Sequence, residues 1–350
     1  MTLTRNFGSD NVSPACEPIL AAIQGASAGP MASYGADPFT ERLTAAASEV
    51  FEHDVLIYPV ATGTAANALA LSQIAPPFGA IYCHAGAHIV TDECAAPEFF
   101  TGGAKLLGLP SPTGKIDPQA LSSAIAFAHE MGVHHAKPAA LSLTQATELG
   151  TVYGLDEIRA LTAVAHRHGL RVHMDGARFA NALVHLECTP AEATWKCGVD
   201  VLCLGASKNG ALCAEAVMFF QPALAADFER RRKQAGHLWS KLRYLSCQLL
   251  AYLEQGLWLR NARQANSMAA RLGRGLAGIP GAQLVQNVES NEIFVALPEV
   301  LIGRLEEAGF HFYRWPLCAV AAGAVIRLVT SYASSEADID DFLREARRLA

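Results

Sequence analysis

Charge is scarce in this chain. Asp, Glu, Lys and Arg make up 17% of its 350 residues and aromatic residues 8%, against 51% hydrophobic. Such a composition excludes intrinsic disorder and leaves little polar surface to spare, so part of the exterior is expected to be buried between subunits. There is no positive excess either, the formal charge being -6. That removes any general electrostatic drive toward nucleic acid or an anionic membrane and leaves small-molecule chemistry as the class of function. No apolar run of about 18 residues occurs, and Met1–Asp10 has one arginine and no apolar core, so neither a membrane span nor an export signal is expected. The nine cysteines, at 16, 83, 94, 188, 197, 203, 213, 247 and 318, form no CxxC pair, and several lie inside apolar runs. They read as reduced core thiols of a cytoplasmic protein. Metal-site patterns are missing as well: His84, His88, Asp92 and Glu93 have near-helical spacing, but no HExxH accompanies them, so no metal is expected.

What is present centres on Val199–Phe220. Two apolar runs, Val201–Leu204 and Ala216–Phe220, read as buried strands, and Lys208 sits in the short turn between them. An ammonium held near low dielectric loses solvation, which favours a free amine able to attack a carbonyl. A solvent-facing turn lysine is the plainer alternative on this stretch alone. Upstream, Leu155–His168 reads as a helix closed by Gly169, and the strand after it ends in His173-Met-Asp-Gly-Ala-Arg178. Asp175 thereby lies at the carboxyl end of a strand, where ligands bind in open parallel sheets. A strand-end aspartate followed by a strand-end lysine one helix later suits pyridoxal 5'-phosphate, with Asp175 on the pyridine nitrogen and Lys208 on the aldehyde. A helix cap is the alternative for Asp175.

Further elements fall in line. Val55–Val60 reads as a strand running into Ala61-Thr-Gly-Thr-Ala-Ala-Asn67 and an alanine-rich helix; Gly63 lets the backbone come close and Thr64 offers a hydroxyl at a helix amino end, an anion cradle. Simple N-capping by Thr62 or Thr64 is the alternative. Helices are expected at Pro14–Gln24 and Pro38–Phe51, separated by the turn-rich loop Gly29–Pro38 with Tyr34 in it. Strands are expected at Ile81 and at Leu141–Leu143, with Thr144–Tyr153 facing the cleft. Beyond Phe220 the pattern turns to a long helix, Leu224–Gln255 with a break near Gly236, then Leu257–Gly275. Most of Arg230–Lys233 reads as a solvated face, and its following loop, 234–241, is placed to reach a phosphate. Short strands at 283–285 and 293–297, a helix near 298–308 and the strand Ala324–Thr330 complete a smaller α+β unit, and Ser335 caps the last helix. Arg327 is the one charge inside that strand, suited either to a structural ion pair or to a substrate carboxylate. The expected fold class is α/β, with a large domain of mostly parallel sheet flanked by helices and a small C-terminal α+β domain. The division is 1–14 as an N-terminal segment, 15–255 as the cofactor-binding domain and 256–350 as the small domain.

Taken together, His173–Ala182, Ala61–Asn67, Tyr34–Pro38, Gly86–His88, Ser207-Lys208 and Ile326–Thr330 make the chain similar, from about Ser9 to Arg327, to the low-specificity L-threonine aldolases of the β-eliminating lyase group, fold-type I pyridoxal phosphate enzymes. The resemblance implies Lys208, Asp175 and His88 as catalytic residues, with His88 stacked on the cofactor ring and Gly63 and Thr64 at its phosphate. It places Arg178 beside the cofactor and, with Ser9 and Arg327, on the substrate carboxylate. It implies a homotetramer, a dimer of dimers sharing active sites, with Tyr34 crossing from a neighbouring subunit. The activity implied is cleavage of L-threonine, L-allo-threonine and related β-hydroxy-α-amino acids, phenylserine among them, to glycine and an aldehyde. β-Elimination, racemisation or a catalytically silent role are the alternatives. Two positions depart from the group's pattern: Asn209 follows the lysine where glycine is usual, and Thr144-Gln-Ala-Thr147 stands where relatives read Glu-Asn-Thr-His. Thr147 is therefore expected to face the β-substituent and to make the site tolerant there, with the base supplied by His88 through a water or by the substrate's own hydroxyl.

Overall fold

Short, mostly apolar runs, four of them closed by Gly, His or Thr, form the strands of one seven-stranded sheet in a computed structural model, which describes residues 5–316 and 323–350. Cys318 and Met1–Thr4 lie outside the described residues. The strands are β1 (Leu56–Val60), β2 (Gly79–His84), β3 (Lys105–Leu109), β4 (Lys137–Thr144), β5 (Arg171–Gly176), β6 (Val201–Gly205) and β7 (Glu215–Phe219), in the order β1-β7-β6-β5-β4-β2-β3. β3, β2, β4, β5 and β6 are parallel. β7 is antiparallel to both its neighbours. Helices cover the sheet, so β6 and β7 are buried along their whole length, which is why they read as unbroken apolar runs. β3 carries no such signal because it is a half-exposed edge strand, and the sequence gives it no separate expectation.

The second sheet is antiparallel, β8 (Gln283–Leu284), β9 (Glu292–Leu297), β10 (Tyr313–Arg314) and β11 (Ala324–Val329) in the order β10-β11-β9-β8. One helix, Leu257–Leu276, serves two cores: Leu257, Trp258 and Ala262 join the large one, Met268, Leu272 and Leu276 the small one. The N-terminal stretch is no loose arm. Phe7 packs edge-on against Phe342 inside the small core, and the chain then crosses to the carboxyl end of the large sheet at Ser9 and Asp10.

The helical run expected over 224–255 does break near Gly236, and it starts later than expected, Leu224 lying in a short 3-10 turn ahead of it. Phe228–Gln234 and Arg243–Leu253 are separate helices, because Gly236 takes φ +78° and ends the first in the left-handed region. Within Arg230–Lys233 the solvated face has one exception: Arg232 is buried, donates to the Pro59 carbonyl at 3.2 Å and lies over the Tyr58 ring. Not every thiol is a core thiol, since Cys94 is exposed and Cys213 lines the central cavity. No described helix is long and apolar enough to cross a membrane.

Candidate active site

The carboxyl ends of β4, β5 and β6 open onto a cavity of about 410 Å³, lined by Thr144, Asp175, Ser207 and Lys208 and roofed by the N-terminal turn of the helix Gly63–Ile74. Parallel pairing of β5 with β6 sets Asp175 beside Cys203, so that the turn after Gly205 brings Lys208 to the same cavity. That turn is held from three sides. Glu215 accepts the Ala206 and Ser207 N–H groups, Ser207 Oγ accepts the Ala214 N–H, and Asn209 donates to Tyr252 Oη at 2.8 Å and to the Trp258 carbonyl at 2.9 Å. Asn209, the departure from the glycine usual in relatives, is thus an anchor of the lysine turn.

At the phosphate-sized end, Thr62 caps the helix by accepting the Ala65 N–H, which leaves the Gly63 and Thr64 N–H groups facing the cavity at the positive end of the helix dipole. A Cβ added at Gly63 would meet no protein atom within 4 Å, so its space opens into the cavity and not into packing. His237, from the loop expected to reach this end, accepts the Ala61 N–H through Nδ1 at 3.3 Å. Burial, then Arg232, lowers the His237 pKa and keeps its ring neutral.

The floor is a chain of polar contacts. Asn67 Nδ2 donates to Asp175 Oδ2 at 2.7 Å and to Glu93 Oε1 at 2.8 Å, and His88 Nδ1 lies 2.8 Å from the same Glu93 oxygen. Asp175 Oδ1 takes the Ala177 N–H. The Glu93 hydrogen bond raises the His88 pKa against its burial, while burial, relieved in part by His88, raises that of Glu93. Asn67 Oδ1 and Glu93 Oε2 are buried without a partner among the described residues. Behind Asp175, His173 is clamped by Ser142 Oγ at 2.9 Å and lies 3.2 Å from the Cys203 thiol; burial holds it neutral, at a pKa of about 4.

A second chamber of about 330 Å³ joins the first at His88, Glu148, Arg178 and Lys208 and is lined also by Ser9, Glu292 and Arg327. Arg178 is fully committed there: Nε and Nη2 donate to Asp10 at 2.8 and 3.0 Å and Nη1 lies 3.2 Å from Glu292. Arg327 is not. It donates to the Gly8 carbonyl at 3.1 Å and lies 3.7 Å from Glu292, while its Nε is buried and unpartnered among the described residues. Its guanidinium rests on Trp315 and Tyr313.

The cleft therefore gathers Gly63, Thr64, His88, Asp175, Arg178, Lys208, Ser9 and Arg327. Ser9 spends its hydroxyl oxygen on the Asn11 N–H, capping the turn that carries Asp10. Tyr34 does not join them in its own chain: it is half exposed, beside Lys233 and Ser240. The expectation for Thr147 is overturned. Its side chain is fully buried, its hydroxyl is 2.7 Å from Thr151 Oγ1, and the residue that turns into the cleft is the next one, Glu148. Sequence reasoning also missed Asp10, Asn67, Glu215 and Glu292; the last three are polar residues beside or inside an apolar stretch, the signal that singled out Arg327, whereas Asp10 lies in a polar segment and carries no such signal.

This geometry has counterparts. A family model described as β-eliminating lyase matches residues 6–299. The chain is 41% identical over 344 residues to the low specificity L-threonine aldolase of Pseudomonas sp. (strain NCIMB 10558), covering 98% of this chain and 97% of that protein. It is 44% identical over 310 residues to the low specificity L-threonine aldolase of Pseudomonas aeruginosa, covering 89% of each. Among solved structures, threonine aldolase of Leishmania major superposes with a TM-score of 0.91 at 28% identity, over 98% of this chain and 99% of that one.

Proposed function

Since this chain belongs to the β-eliminating lyase family, we propose that it is a carbon–carbon lyase of the threonine aldolase type. Its substrates are L-threonine, L-allo-threonine and related β-hydroxy-α-amino acids, phenylserine included, and its products are glycine and an aldehyde. The observation that carries the reading is the convergence of Lys208, Asp175 and the open helix end at Gly63 on one cavity.

The residues fit pyridoxal 5'-phosphate. Unhindered space above Gly63 at a capped helix amino end suits the phosphate; Asp175, braced by Asn67 and the Ala177 N–H, suits a protonated ring nitrogen; Lys208 is the amine for the aldehyde, and His88 borders the space a ring occupies. When bound, the cofactor supplies an electron-accepting ring that stabilises negative charge at Cα. The protein does the rest. Arg327, with its unpartnered Nε, fixes the substrate carboxylate through a planar fork, and Arg178 holds Asp10 and Glu292 in place beside it. A base takes the β-hydroxyl proton, the O–H electron pair becomes the second bond of the aldehyde, and the Cα–Cβ pair passes to Cα, which gains a proton to give glycine. A homotetramer in which Tyr34 is lent to a neighbouring site is supported by the exposure of that ring away from its own cleft.

The test is reconstitution with pyridoxal phosphate followed by assay of acetaldehyde from both threonine diastereomers. Visible absorbance of the bound cofactor should appear in the wild type and be lost or shifted in Lys208→Ala. A colourless protein that releases no aldehyde overturns the reading.

A further inference from the structure

Resting on the aldolase reading, we propose that Glu148 is the base that removes the β-hydroxyl proton. Three cavities meet at this residue. It lines the cofactor-sized cavity, the chamber of Arg327 and a third space of about 550 Å³ walled by Pro112, Leu149, Val285 and Trp315, and no other described residue lines all three. An amino acid with its carboxylate at Arg327 and its Cα near Lys208 turns its β-carbon toward that junction, and the third space takes the β-substituent.

The carboxylate is aimed and incompletely satisfied. Oε1 accepts the His88 backbone N–H at 2.8 Å, which fixes the side chain. Oε2 is screened from water and has no hydrogen-bond partner among the described residues. Glu93 Oε2 also has no hydrogen-bond partner among the described residues, but Glu93 lines the first cavity alone and neither of the other two, and the remaining acidic and imidazole groups hold partners. His88 spends Nδ1 on Glu93, Glu215 holds the Ala206 and Ser207 N–H groups, Glu292 faces Arg178 and Arg327, and Asp175 is bound by Asn67 and Ala177. Thr147 has its hydroxyl on Thr151 and cannot ionise near neutral pH.

Burial, opposed by the His88 N–H and reinforced by the negative charge of Asp175, with smaller opposition from its own N–H and the Thr144 hydroxyl, pushes the Glu148 pKa up to about 7. His88, Asp92, Glu93, Asp175, Arg178, Lys208, Glu215, Glu292 and Arg327 also line these spaces. A carboxylate titrating there is strong enough to accept a proton and weak enough to return it. In the step itself the β-O–H bond breaks, its proton passes to the Glu148 carboxylate, its electron pair forms the C=O of the leaving aldehyde, and the Cα–Cβ pair remains with Cα. The proton is then given up to the open cleft, which the half-buried residue lines.

The experiment compares wild type, Glu148→Gln and Glu148→Asp as holoenzymes. Glu148→Gln keeps the cofactor absorbance and binds glycine and L-threonine, followed by spectral titration, within about threefold, while kcat for aldehyde release falls by about 10²–10⁴-fold, the usual worth of a positioned base. Exchange of the glycine α-proton in D2O, which needs no β-hydroxyl, survives in Glu148→Gln. The acid limb of the wild-type cleavage profile, near pH 7, is absent from Glu148→Gln and retained in Glu148→Asp. Cleavage by Glu148→Gln at the wild-type rate with the same acid limb overturns the assignment. So does equal loss of cofactor, glycine exchange and thermal stability in both variants, which marks a packing role. Failure of the aldolase reading looks different: the wild type itself then exchanges glycine protons but releases no aldehyde.

Discussion

Arg178 and Asp10 form a two-pronged, buried ion pair, Nε to Oδ2 at 2.8 Å and Nη2 to Oδ1 at 3.0 Å, between residues 168 positions apart in the chain. The pair ties the N-terminal crossing to the end of β5, and Asn291 adds a third contact to Asp10 at 3.0 Å. It also explains why the two arginines of the cleft are not equivalent. One is a strut with its donors taken; the other keeps its Nε without a partner among the described residues.

Asp10→Ala should therefore destabilise the protein by about 3–5 kcal/mol, since it strips a buried guanidinium of its bidentate partner. Burial by itself would raise the Asp10 carboxyl, but Arg178 and Lys208 more than reverse this, so its pKa lies below the ordinary value. A depressed carboxyl contributes stability that is complete above the unfolded-state pKa of about 4 and is lost as pH falls through the folded-state value. Urea denaturation at pH 7 and at stepped acid pH should show this loss in the wild type and a flatter profile in Asp10→Asn.

Arg327→Lys should raise the KM for L-threonine by about 10–100-fold, the worth of a charge-assisted hydrogen bond or two, and leave cofactor absorbance intact. Arg178→Lys should lower thermal stability as well, because a lysine cannot span Asp10 and Glu292 together. Identical losses of fold and cofactor in both variants would assign Arg327 to a structural pair instead.

Gly63→Ala is expected to weaken pyridoxal phosphate binding by about tenfold, or 1.4 kcal/mol. Its φ is not left-handed and an added methyl meets no protein atom, so the apo-protein should melt as the wild type does. An unchanged cofactor Kd by fluorescence titration would remove Gly63 from the phosphate cradle.

Thr147→His should cost about 1–3 kcal/mol by overpacking and should not sharpen the choice between threonine diastereomers. The space around Thr147 is taken: a Cβ at Gly114 would already come within 2.8 Å of the Thr147 hydroxyl. Melting temperature and the ratio of kcat/KM for L-threonine and L-allo-threonine measure the two effects separately. A selective, fully stable variant would return Thr147 to the substrate side.

The strand that ends at Asp175 and the one that leads into the Lys208 turn were legible from the chain alone, because a strand buried on both faces is a short, mostly apolar run and a charge at its carboxyl end marks where ligands bind. The same logic made Gly63 and Thr64 readable, since a glycine at a capped helix start has few other uses, and singled out Arg327 as a charge where apolar residues belong. Direction was not legible in the 144–148 loop. Local sequence gives no period there, and a one-residue difference decides whether Thr147 or Glu148 enters the cleft; pairing of Thr147 with Thr151, and the docking of Glu148 on the His88 N–H, settle it. Nor could the chain announce that Arg178 is occupied. Its partners lie at positions 10 and 292, and only the crossing of the N-terminal segment and the packing of β9 and β11 against the large domain bring those carboxylates to it. Composition and periodicity specify which residues must be buried; which buried charges meet one another is decided by tertiary contacts, because a charge in low dielectric is tolerated only where a partner from elsewhere in the fold arrives.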